Sequence, residues 1–126
     1  MPTRMRAPKP LLIQINTDAT LTSHAARRER INGLVLNAVE RFSERISRVE
    51  VHLSVEHSNH PAEQNVRCLM EARVQGHSPV AVTHRSSSVD DAVEGAGEKL
   101  RHALEHTFGR ADHQRDASAR RHPPML

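Results

Sequence analysis

The chain has 126 residues, the length of one ordinary domain. Its aromatic residues are two Phe with no Tyr and no Trp, which argues against a surface that binds nucleic acids by stacking on their bases. One cysteine excludes an intrachain disulfide and a multi-cysteine metal site. No apolar run approaches the roughly 20 residues that span a bilayer. The composition therefore predicts a cytoplasmic protein with no membrane partner.

The net charge of +3 is distributed unevenly along the chain. Residues 1–48 have a net charge of +5, residues 49–109 of −4, and residues 110–126 of +2. Sixteen of the eighteen cations are Arg, whose planar guanidinium suits bidentate contact with phosphate. This pattern favours a polyanionic partner, and a genome that prefers Arg codons is the alternative explanation.

The first half of the chain predicts a disordered arm, a strand and a helix. Three prolines indicate that residues 1–10 form a disordered basic arm. Residues 11–16 alternate in a manner typical of a strand, and Thr22 or Ser23 can cap a helix that runs to about Phe42. The apolar stripe of that helix consists of Ile31, Leu34, Val35, Ala38, Val39 and Phe42.

The second half predicts three strands and a second helix. Residues 49–56, 66–75 and 80–84 alternate between apolar and polar side chains, and the short link after residue 75 favours an antiparallel hairpin. Ser88 is the predicted N-cap of a helix that ends at Phe108, with Gly109 as its C-terminal cap. We expect residues 110–126 to form a disordered basic tail.

These elements predict an α+β fold of the order β-α-β-β-β-α, formed as a single domain by residues 11–109. Each strand with clear alternation has one apolar face and each helix has one apolar stripe, so both helices pack on one face of a four-stranded sheet. The helix between the first two strands allows them to be parallel. The other face of the sheet is expected to lie open to water.

Three segments of the chain resemble one protein family. They are residues 13–16 with Leu21 and Thr22, residues 45–56, and residues 88–94 with 98–100. Together with the element order, they resemble the ribosome hibernation-promoting factor and ribosome-associated inhibitor family of bacteria, in its short type. The resemblance implies a non-enzymatic protein that binds the small ribosomal subunit in the channel used by mRNA and tRNA. It would inhibit translation there and promote ribosome hibernation under stress.

The resemblance also indicates which side chains would contact rRNA phosphates. Where the family has a Tyr in the last helix this chain has Asp90, and at two of the family's cationic positions it has His102 and His106. A continuous positive band over both helices would support rRNA phosphates as the target, and scattered cations would not. The candidate rRNA-binding residues are Arg27, Arg28, Arg30, Arg41, Arg45, Arg48, Lys99, Arg101, His102, His106 and Arg110.

The alternative for these cations is an ordinary solvated surface, partly paired with Glu29, Glu40 and Glu44. Like charges four residues apart in the first helix, such as Arg41 and Arg45, argue against pairing within that helix. Two further functions stay open. A divergent homologue could be a protein-interaction or weak homodimer module that uses the open sheet face around Leu69, or the fold could bind double-stranded RNA.

The remaining reactive residues predict neither catalysis nor a metal site. His102 and His106 have a spacing that can place two imidazoles on one metal ion, but no third ligand is evident. Cys68 alternates with apolar neighbours and is expected to be a buried, inert thiol. No nucleophile–base pair, phosphate-binding loop or paired-carboxylate motif is present. We therefore expect no enzyme activity, no cofactor and no small-molecule substrate.

Overall fold

The computed structural model of the chain describes residues 11–18, 25–57 and 64–120. The element order confirms the predicted α+β fold. The elements are β1 (Leu12–Thr17), α1 (Ala25–Val39) with a short 3-10 turn (Glu40–Phe42), β2 (Ile46–His57), β3 (Gln64–Val74), β4 (Val80–Ser86) and α2 (Val89–Arg120).

The strands form one sheet in the order β1-β2-β3-β4. Strand β1 is parallel to β2, as the intervening helix allows, and the other two pairings are antiparallel. The β3–β4 connection turns at Gly76, whose φ of 77° lies in the left-handed region that favours glycine. The predicted hairpin is therefore confirmed.

The apolar residues predicted from periodicity meet in a single core. Ile31, Val35 and Val39 of α1 are fully buried against alternate residues of the strands, such as Val51 and Met70. Helix α1 packs against β1 and α2, while α2 packs against β3 and β4. Both helices thus cover one face of the sheet, as predicted.

Two glycines allow α2 to approach its neighbours closely. A Cβ atom on Gly95 would lie 2.2 Å from the imidazole ring of His84 in β4. A Cβ atom on Gly97 would lie 3.1 Å from that of Ala38 in α1. These positions fix the distance of α2 from the sheet edge and from α1, and the apolar pattern alone does not indicate them.

Helix α2 begins as predicted and ends later than predicted. The backbone N–H of Asp91 donates a hydrogen bond to Ser88 Oγ at 3.2 Å, so Ser88 is the N-cap. The predicted end at Phe108 with a cap at Gly109 was wrong, because the helix continues to Arg120, into the segment predicted to be a disordered tail. One glycine costs a helix only about 1 kcal/mol, and the residues that follow it are mostly good helix formers. The predicted arm, the caps Thr22 and Ser23, and residues 121–126 lie outside the described residues.

Candidate nucleic-acid interface

The first group of cations lies at the start of α1. Arg27, Arg28 and Arg30 are exposed because they precede the first buried position of the helix, Ile31. The Nη1 atom of Arg30 lies 2.9 Å from Oδ2 of Asp90, at the start of α2. We call these three residues the N-terminal arginines. One of them therefore connects the two helices, and all three face solvent.

The second group lies at the other end of the helical layer. The Nη1 atom of Arg41 is 3.1 Å from Oε1 of Glu105 in α2. The guanidinium of Arg45 lies 3.7 Å from the centre of the Phe108 ring, which holds it by a cation–π contact. The Phe108 ring also packs on that of Phe42, with 5.3 Å between the ring centres. Arg45 is thus positioned by the only two phenylalanines of the chain.

Two of the candidate cations of α2 interact with groups inside the protein. Lys99 Nζ donates a hydrogen bond to the backbone oxygen of Thr83 in β4 at 3.1 Å. Arg101 Nη2 lies 3.8 Å from Oε1 of Glu98. His102 and His106 are exposed, one turn apart. The side chain of Arg110 lies outside the described part of the helix.

Arg48 lies on the opposite side of the molecule from these groups. It belongs to β2 and points away from the helices, because its neighbour Val49 is fully buried beneath them. Its Nη2 atom is 2.8 Å from Oε1 of Glu50 and also bonds Gln14. The eleven candidate residues therefore do not share one surface.

The cations of the described residues do not form a continuous positive band over both helices. Residues 31–39 of α1 are uncharged, so Arg30 and Arg41 are separated by about 16 Å along the helix axis. Arg30, Arg41 and Arg101 each have a carboxylate partner. Such exposed ion pairs contribute only about 0–1 kcal/mol each, so a phosphate group can replace the carboxylate. The arrangement can bind a polyanion at two separate points.

A groove between α1 and α2 separates the two groups. Its volume is about 240 Å³, and its lining includes Asn37, Glu94, Glu98 and Arg101. Two carboxylates near one guanidinium make this groove a poor site for phosphate. The phosphate-binding capacity of the helical layer therefore lies at its two ends.

Two kinds of contact were not predicted from the sequence. They are the ion pairs that join the two helices and the cation–π contact of Arg45 with Phe108. The signal for the aromatic contact was available, since Phe42 and Phe108 each end an apolar stripe and both stripes face the same side of the sheet. The signal for the ion pairs was absent, because Arg30 and Asp90 are 60 positions apart. Their proximity depends on how the two helices are placed side by side.

Cys68 has the environment that its alternation predicts. Its side chain is fully buried, and burial raises the pKa of the Cys68 thiol to about 12. Among the described residues, no three His, Cys, Asp or Glu side chains come together as a metal-binding group. No helix in the described ranges is long and apolar enough to cross a membrane.

No protein-family model matches the sequence, and no curated protein is significantly similar to it. Solved structures do match the fold. A ribosomal subunit interface protein from Coxiella burnetii superposes with a TM-score of 0.63 at 14% identity, over 77% of this chain and 97% of that one. The N-terminal domain of Protein Y from Thermus thermophilus gives 0.61 at 15% identity, over 76% and 98%.

The chain therefore has the fold of the ribosomal subunit interface proteins. The family that the sequence segments resemble is thus the one whose fold the structure shares. The likeness covers nearly the whole of both solved chains, and at this level of identity it is a likeness of fold.

Proposed function

We propose that the protein is a non-enzymatic ribosome-associated factor that binds the small subunit. The observation that supports this most is the fold, which matches two structures over 97% and 98% of their length, one of them described as a ribosomal subunit interface protein. The resemblance of the three sequence segments points to the same family.

Binding would depend on rRNA phosphates rather than on the recognition of bases. Phe108 is buried and Phe42 half-buried, so neither offers a free face on which a base could stack. The N-terminal arginines, Arg41 and Arg45 are exposed or half-exposed cations at the two ends of the helical layer. Two such points of contact can fix the orientation of a protein on a folded RNA without reading its sequence.

The biological effect would follow from occupancy alone. A protein seated in the channel used by mRNA and tRNA excludes both, so it inhibits translation and preserves idle ribosomes, as in a hibernation response to stress. No chemical step is required, and the protein would act in the cytoplasm.

Co-sedimentation with purified ribosomal subunits tests the proposal. We expect pelleting with small subunits at low salt and release at high salt, because each phosphate contact replaces bound counterions. A bare RNA duplex is the comparison ligand, and binding it as well as the subunit would favour the double-stranded RNA alternative. Failure to pellet with small subunits even at low salt would overturn the proposal.

A pair of charge-reversal variants locates the interface. Arg27→Glu with Arg28→Glu removes two N-terminal arginines, and we expect the salt dependence of binding to fall by roughly one unit of log–log slope for each lost phosphate contact. Arg73→Glu with Arg85→Glu is the matched control, since it changes the net charge equally on the opposite face. Equal losses in both variants would show that net charge alone drives binding.

A further inference from the structure

The sheet face that points away from the helices is not covered by any described element. We call it the open face, and its members on the two central strands and β4 alternate with the buried residues. They are Arg48, Glu50, His52, Ser54 and Glu56 of β2, Asn65, Arg67, Leu69, Glu71 and Arg73 of β3, and Ala81, Thr83 and Arg85 of β4.

The strand register arranges these side chains in rows that run across the sheet. The central row contains His52 opposite Leu69, with Thr83 beyond. On one side of it lies the pair Glu50 and Glu71.

On the other side of the central row Ser54 lies opposite Arg67, with Arg85 beyond. The outermost rows pair Arg48 with Arg73 at the first end and Glu56 with Asn65 at the second. At equal distances from the central row, a basic row on one side therefore corresponds to an acidic row on the other side.

This pattern is complementary to itself. If a second copy packs face to face about a two-fold axis along the central row, each row meets its counterpart on the other side of that row. Glu71 then faces Arg67 of the second copy, and Arg48 faces Glu56 of the second copy. Leu69 meets Leu69, which places the apolar side chain of β3 at the centre of the contact.

The same pattern excludes the other simple face-to-face arrangement. A two-fold axis parallel to the strands would exchange β2 with β3 within each row. Arg48 would then face Arg73 of the second copy, and Glu50 would face Glu71. Like charges would oppose each other in both rows, which is unfavourable. The charges therefore select one of the two packings.

The open face is poorly suited to a nucleic acid, because its four arginines are interleaved with three glutamates and leave a net charge of only +1. Arg85 Nε lies 3.0 Å from Oε2 of Glu56, and Arg48 Nη2 lies 2.8 Å from Oε1 of Glu50. Arg67 and Arg73 lie within 3.9 Å and 3.7 Å of Glu56 and Glu71. A polyanion would meet a carboxylate beside each of these four guanidinium groups.

We propose that the open face is a self-association surface, and that its partner is a second copy of this chain related by the axis along the His52–Leu69 row. Four strands that average nine residues cover on the order of 600 Å² on each copy, an area typical of a weak, reversible dimer. The ion pairs within each copy are exposed and contribute little free energy by themselves. The same side chains can therefore form ion pairs with the second copy without a large rearrangement.

Sedimentation equilibrium tests the proposal, using the full chain over concentrations up to about 1 mM, where interfaces of this size are populated. We expect the wild type to dimerise reversibly. Glu71→Arg alone opposes two arginines across the axis and Arg67→Glu alone opposes two glutamates, so each variant should associate at least tenfold more weakly.

An equimolar mixture of the two variants tests whether residues 67 and 71 face each other across the axis. In the mixed dimer Arg at 71 of one copy faces Glu at 67 of the other, and the native Arg67 faces the native Glu71, so association should recover. Glu44→Arg is the control, because it makes the same charge change as Glu71→Arg on an exposed turn away from the sheet face. A monomeric wild type, full dimerisation of either single variant, or no recovery in the mixture would overturn the proposal.

Discussion

The helical layer and the open face carry the same kinds of charged residue and use them differently. On the open face, ion pairs such as Arg48–Glu50 join residues of one strand or of strands in the same sheet. On the helical side, Arg30–Asp90 and Arg41–Glu105 connect α1 and its 3-10 turn with α2. The two faces therefore differ in which elements their ion pairs join, and pairing with a carboxylate does not by itself distinguish a polyanion-binding surface from the other face.

The strongest way to break the helical side is to remove the aromatic contact at its end. Phe108 is 3% exposed and supports both Phe42 and Arg45. We expect Phe108→Ala to lower the free energy of unfolding by about 3–5 kcal/mol, because it leaves a cavity in the core. Urea unfolding measures this value.

Phe108→Leu is the control for the aromatic contribution. It keeps most of the apolar volume but removes the aromatic ring on which Arg45 lies. The decrease in the free energy of unfolding should therefore be much smaller than for Phe108→Ala. A loss below about 1 kcal/mol for Phe108→Ala would contradict this placement of the ring.

A substitution at the contact between α2 and the sheet should change the free energy of unfolding by less. Gly95→Ala places a methyl group against the His84 ring, and we expect a loss of about 1–3 kcal/mol through overpacking. His84→Ala should relieve the clash, so the double variant should be more stable than the sum of the two single effects. A double-mutant cycle by thermal unfolding measures the coupling, and strict additivity would show that the ring does not touch this glycine.

Alkaline pH tests the burial of Cys68, which lies between the two surfaces. Its folded pKa of about 12 is above the ordinary value of 9.0. The unfolded chain therefore releases the thiol proton first as pH rises, and stability falls from pH 9 up to about 12. We expect a loss of about 1 kcal/mol by pH 10.

The chain suits this measurement because it has no Tyr and only two Lys, Lys9 and Lys99. Chemical unfolding at a series of pH values should show the decline in the wild type and a flatter profile in Cys68→Ala. The same decline in both proteins would assign it to another group.

The smallest expected effect on stability comes from the ion pairs that join the two helices. A double-mutant cycle of Arg30→Gln with Asp90→Asn should give a coupling free energy below about 1 kcal/mol, because both side chains are largely exposed. The coupling should decrease further in high salt. A coupling above about 2 kcal/mol would mean that this pair is a structural requirement rather than an exchangeable partner for phosphate.

The order of elements and the core could be predicted because they depend on local periodicity. The stripe from Ile31 to Phe42 and the alternation around Met70 each identify one buried side, and one buried side for each element leaves a single layered arrangement. The resemblance to a ribosome-binding family was visible for the same reason, since it rests on the order and spacing of these elements.

The end of α2 and the division of the cations between two faces could not be predicted in the same way. The effect of Gly109 depends on the residues around it rather than on the glycine alone. Arg48 stands only three positions after Arg45, yet the strand that begins at Ile46 directs it to the other face. The self-complementary rows require the pairing register of β2 with β3, which the sequence does not specify.

The most direct test of this account measures ribosome binding and self-association for the same two variants. We expect Arg27→Glu with Arg28→Glu to weaken co-sedimentation with small subunits and to leave the dimer unchanged. We expect Glu71→Arg to weaken the dimer at least tenfold and to leave small-subunit binding intact. Variants that lose both properties together, or a Glu71→Arg variant that fails to bind small subunits, would contradict the assignment of separate tasks to the two faces.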